Sequence, residues 1–88
     1  MTEILLHGQE SLEEIHDRFA EALRLPVYYG RNLDALFDCL TDLQEDVTVH
    51  LKDPAALEER LGPRGRALTA LLRRAAAENP RVRLLEGA

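Results

Sequence analysis

Two carboxylates four residues apart, Asp34 and Asp38, follow closely on a pair of tyrosines, Tyr28 and Tyr29, and a glycine, Gly30. In a helix, residues at that spacing share a face. The two anions then stand side by side, although like charges so placed cost an isolated helix about 0.2–0.5 kcal/mol. Paired anions rimmed by aromatic rings suit a cationic protein surface, because rings supply buried area and charge sets orientation and speed of encounter. His7, His16, His50 and Cys39 are the other groups able to do chemistry. His16 and Asp17 are neighbours on a helix and do not face each other. No glycine-rich phosphate loop or spaced set of metal ligands occurs in the sequence. The pattern is that of a binding protein, not an enzyme, with no cofactor or metal.

The charge is unevenly spread. Of the 88 residues, 1–59 carry 4 basic and 14 acidic groups, whereas 60–88 carry 7 basic and 2 acidic ones, for a formal net charge of −5. An acidic front argues against nucleic-acid binding, which needs Lys and Arg to replace phosphate counterions. The arginines at 60, 64, 66, 73, 74, 81 and 83 spread over two helices, a turn and a strand, without an aromatic platform for stacked bases. No apolar stretch approaches the roughly 20 residues of a membrane span, and the first residues lack a secretory pattern. A lone cysteine fits a reducing compartment. One domain over 1–88, cytoplasmic and monomeric when free, is expected, of a size where a single core is only just sufficient.

The elements that must position the anions follow from the pattern. Ile4-Leu5-Leu6, ended by His7-Gly8-Gln9, suits a buried strand. Ser11-Leu12-Glu13-Glu14 is a capping box, and Leu12, Ile15, Phe19 and Leu23 form the apolar stripe of a helix that ends before Pro26. Asn32 caps a second helix running to about Leu43. At about 100° per residue its Leu36, Leu40 and Leu43 face the core, and Asp34, Asp38 and Thr41 face elsewhere. Phe37 lies between the two sides. Val47 to Leu51 reads as a strand. Asp53-Pro54 then starts a short helix over Ala55–Leu61. Gly62-Pro63-Arg64-Gly65 breaks the chain, and a last helix runs from Arg66 to Glu78, with Arg73 and Arg74 toward the negative end of its dipole. Asn79-Pro80 ends it, before a strand at Val82–Leu85. Strands separated by helices imply a three-stranded parallel sheet packed with about four helices, an α/β fold whose strand order the pattern leaves open.

The run Leu25-Pro26-Val27-Tyr28-Tyr29-Gly30-Arg31-Asn32-Leu33-Asp34-Ala35-Leu36-Phe37-Asp38-Cys39-Leu40-Thr41 closely resembles the signature of the barstar family, intracellular inhibitors of secreted guanyl-specific ribonucleases. The resemblance implies the same fold. It also implies a 1:1 complex in which the second helix and the loop before it plug a ribonuclease active site. Asp38 would take the place of the substrate phosphate, and Asp34 would meet the adjoining basic, guanine-recognising region. Tyr28 would pack on a catalytic histidine, with Tyr29, Gly30, Asn32, Leu33 and Ala35 as contacts and Thr41 at the edge. The chain departs from the family at four contact positions. Phe37 and Leu43 replace tryptophans of the best-known member, Arg31 replaces an acidic residue, and Arg74 replaces a contacting glutamate. Pro80 falls roughly at the family's second cysteine, leaving Cys39 unpartnered. A barstar-like module aimed at a different basic protein is the alternative reading.

Overall fold

The computed structural model describes residues 1–8 and 11–87, so Gln9 of the expected turn lies outside the described residues. Along the chain run β1 (Thr2–Leu6), α1 (Leu12–Leu23), α2 (Leu33–Thr41), β2 (Val47–Lys52), α3 (Pro54–Leu61), α4 (Pro63–Glu78) and β3 (Val82–Gly87). The strands make one parallel sheet in the order β1-β2-β3, with Ile4 opposite Val49 and Val49 opposite Leu84. The α/β fold with three parallel strands and four helices is as expected from the sequence.

Strand order now decides the layering. Both crossovers step the same way across the sheet, and right-handed connections that do so lie on one face. Burial follows the two-residue period of the strands. Ile4, Leu6, Val47, Val49, Leu51 and Val82 are buried beneath the helices, whereas Glu3, Leu5, Arg83 and Leu85 are exposed on the other face. α1 lies against β1 and α4 against β3. Phe19, Ile15, Leu36, Leu40, Leu68 and Leu72 fill the space between the layers, each at most 1% exposed. Full burial of one such side chain contributes about 1.5–3 kcal/mol.

Local signals set most of the boundaries. Ser11 Oγ accepts from Glu14 N at the start of α1, and Asp53 Oδ1 accepts from Ala56 N at the start of α3. Three expectations need correction. First, Gly65 is not part of a break: α4 begins at Pro63, directly after a cap at Gly62 that also ends α3. A Cβ at Gly65 would lie 2.9 Å from Leu61 Cβ and 3.0 Å from Glu58 Cα, so the glycine lets α3 and α4 touch. Second, α2 stops at Thr41, short of Leu43. The buried Asn79 Nδ2 donates to Leu40 O (2.8 Å) and Leu43 O (3.3 Å), holding the carbonyls that one more helical turn would have used. Third, Arg73 and Arg74 do not sit in the last turn of α4, which holds no basic residue. Arg73 instead forms a two-pronged ion pair with Glu86 on β3 (2.7 and 3.1 Å).

Candidate functional site

The approach to α2 is a turn that points two apolar residues outward. Arg24, in the left-handed region (φ 53°), ends α1, and Tyr29 N donates to Pro26 O at 2.9 Å. Val27 and Tyr28 form the corner of that turn and are 105% and 85% exposed. Tyr29 turns the other way. Its ring is buried in the core, and its hydroxyl lies 2.7 Å from His16 Nδ1 on α1, the rings meeting edge to face at 5.6 Å. Burial pushes the Tyr29 pKa up to about 12. Burial also lowers that of His16, helped by the Arg31 charge and partly opposed by Asp17. The bond therefore joins two uncharged groups inside the protein and fixes the base of the loop.

A second tie lies three residues on. Arg31 has a positive φ (52°), a conformation that costs a non-glycine residue about 1 kcal/mol or more. Its guanidinium donates to Asp17 Oδ1 at 2.6 Å and to Glu13 O at 3.3 Å, holding the loop to α1 and neutralising its charge locally. Asn32 Oδ1 accepts from Ala35 N (2.8 Å) as the cap of α2, while its amide donates to Gly30 O (3.2 Å). The space beside Gly30 is taken by that amide, since a Cβ would come within 3.0 Å of it. A loop fixed at Tyr29, Arg31 and Asn32 is ordered before any partner arrives.

On α2, Leu36 and Leu40 are fully buried, and Leu33, Ala35 and Phe37 are half-buried. Asp34 and Asp38 are exposed, and neither carboxylate has an ion-pair partner among the described residues. Thr41, half-buried, donates back to Phe37 O at 2.9 Å, and Leu43 packs against the core. The Arg74 guanidinium stacks 4.6 Å from the Phe37 ring centroid, so the charge of α4 and the aromatic of α2 form one patch. Cys39 is a free thiol whose pKa is raised by burial and then by Asp38 and Asp42, which keeps it protonated and a poor nucleophile.

The structure therefore brings Tyr28, Gly30, Arg31, Asn32, Asp34, Asp38 and Arg74 to the surface, with Leu33, Ala35, Phe37, Thr41 and Leu43 half-exposed around them and Tyr29 inside. Sequence reasoning missed three residues that shape the site: the fully exposed Val27, and His16 and Asp17, which anchor the loop from α1. The spacing of His16 and Asp17 could not reveal this, because both partners lie 13 or 14 residues further along the chain. The three histidines are dispersed. His7 is exposed, His16 is bonded to Tyr29, and His50 is bonded to Glu3. Among the described residues no group of three or more His, Cys, Asp or Glu could hold a metal, and no helix is long and apolar enough to cross a membrane. The arrangement offers focused negative charge, the exposed Tyr28 ring and the half-buried Phe37 ring on a rigid frame.

The family model described as Barstar (barnase inhibitor) matches residues 1–85. A Bacillus subtilis (strain 168) protein named "Putative ribonuclease inhibitor YrdF" is 51% identical over 43 residues, which is 47% of this chain. The match spans about half of that relative's length, 47%.

Proposed function

The chain belongs to the barstar family, and we propose that it inhibits a secreted guanyl-specific ribonuclease by occupying the active-site cleft in a 1:1 complex. The observation that carries this reading is the pair Asp34 and Asp38, exposed and without an ion-pair partner, on a helix whose leading loop is tied down at three points. A ribonuclease cleft holds fixed cations and an imidazole that wait for phosphate. A rigid carboxylate satisfies them and presents no bond to cleave, so inhibition needs no chemistry from the inhibitor. In this reading Asp38 takes the phosphate position, Asp34 meets the adjacent basic region, and Tyr28 stacks on the catalytic histidine. Opposite charges would speed capture, an advantage that fades as salt shortens the screening length. The inhibitor would act in the cytoplasm, guarding cellular RNA before the enzyme leaves the cell.

The test is titration of a guanyl-specific ribonuclease with the chain, followed by activity on RNA and by calorimetry. Stoichiometric loss of activity is expected. Asp38→Ala should weaken inhibition more than Asp34→Ala, with both variants folded. Unchanged inhibition by both would refute the assigned surface. Arg74, stacked on Phe37 at the edge of this surface, is the observation that favours a second reading, a different and less basic ribonuclease as target, because it adds a cation to the surface that carries the two anions. Arg74→Glu should then change the ranking of inhibited ribonucleases, and an unchanged ranking would reject that reading.

A further inference from the structure

The exposed large apolar residues fall into two groups. Val27 and Tyr28 belong to the loop before α2, whereas Met1, Leu5 and Leu85 lie at the open face of the sheet. A parallel sheet is ordinarily covered on both faces, and here the crossovers cover only one. Strand register arranges the open face in rows. Glu3, Thr48 and Arg83 form one row across the three strands, and Leu5, His50 and Leu85 form the next. Leu5 and Leu85 are 45% and 46% exposed, with His50 between them. The rows are also polar in sign. Glu3 on one edge strand is anionic and bonded to His50 (2.7 Å), and Arg83 on the other edge is a cation without an ion-pair partner among the described residues.

We propose that the open sheet face binds a second copy of this chain, face to face about a two-fold axis running along β2. That axis sets β1 of one protomer over β3 of its partner without shifting the register. Glu3 then meets the partner's Arg83 twice, and Leu5 meets the partner's Leu85 twice. An axis across the strands would instead set each edge strand over its own copy and leave Arg83 beside a like charge, whereas the axis along β2 sets only one formal charge, Lys52 at the exposed end of that strand, toward its own copy. Sheets stacked in this way pack about 10 Å apart with strands inclined by about 30°. A face about 14 Å by 17 Å, from the strand spacing and rise, is well below the roughly 800 Å² per partner of a standard interface. The dimer is therefore weak and forms at high concentration. It leaves the surface formed by α2 and its leading loop free and does not depend on the function proposed for that surface.

Sedimentation equilibrium on the whole chain from about 10 μM to about 1 mM, at low salt, tests the proposal. A dimer that grows with concentration is expected. Leu85→Asp and Glu3→Arg should each lower the association constant about tenfold or more. Glu3→Arg combined with Arg83→Glu should restore it, which a merely unfolded variant would not do. A monomer throughout would overturn the proposal and leave the face to a different protein. A dimer that ignores these changes, or one abolished by Val27→Asp, would overturn it equally.

Discussion

Replacing Asp38 by asparagine should stabilise the free chain and, on the function proposed above, weaken its hold on a ribonuclease, two opposite effects from one side chain. Asp38 lies one turn from Asp34 and one turn from Asp42, the C-cap of α2, and none of the three has an ion-pair partner among the described residues. Each like-charge neighbour at this spacing destabilises by about 0.2–0.5 kcal/mol, so relief of both gives about 0.4–1 kcal/mol. A negative charge near the C-terminal end of a helix also opposes its dipole, adding in the same direction. For a domain of this size the gain raises the melting temperature by roughly 2–8 °C. Thermal unfolding followed by circular dichroism at low salt would show it, and the gain should shrink in about 1 M salt, where the screening length is about 3 Å. Asparagine keeps the size of the side chain and one acceptor but loses the charge. A charged hydrogen bond exceeds a neutral one by about 1–2 kcal/mol, so inhibition should weaken roughly 5- to 30-fold. A variant that melts no higher at low salt, or that inhibits as tightly as the parent, would refute the picture of a strained anion pair held for a partner.

Gly65→Ala gains up to about 1 kcal/mol of helix propensity, yet its methyl would sit 2.9–3.1 Å from Leu61, Glu58 and Leu57 atoms. Overpacking of about 1–3 kcal/mol should win, lowering the urea midpoint. Asn79→Ala removes the donor to the Leu40 and Leu43 carbonyls. It should cost about 1–3 kcal/mol and speed hydrogen exchange at the end of α2. His16 has a folded pKa below its ordinary 6.5, so the unfolded chain binds more protons once the pH drops under that value. Its contribution to stability is whole above about pH 6.5 and is lost as the pH falls through the lowered folded value. Urea titrations at about pH 7 and pH 5 should show the decline, and His16→Gln should flatten it.

What the sequence made legible was local. The caps at Ser11, Asn32 and Asp53 act within three residues of themselves, and each bonds the amide three positions on. The register of α2 was equally readable, because Leu36 and Leu40 bury while Asp34 and Asp38 do not. Non-local partners escaped. Asn79 shortens α2 from 39 residues away, and His16 takes the Tyr29 hydroxyl from the preceding helix. Gly65 misled because it closes the cluster Gly62-Pro63-Arg64-Gly65, whose composition usually signals a turn, whereas here it marks two helices in contact. The open sheet face did leave a trace in Val47-Thr48-Val49-His50-Leu51-Lys52, whose alternation is that of a strand covered on one side only. Strand order, which fixes where both crossovers go, has no such local signature.

The clamp of Asn79 on the end of α2 has a consequence for synthesis. A chain emerging from the ribosome delivers the acidic helix long before residue 79 and the last strand, and until they arrive β2 has a neighbour on one side only. The nascent chain thus carries α2 with a loose end, and the surface proposed for partner binding is completed only when Asn79 and β3 dock.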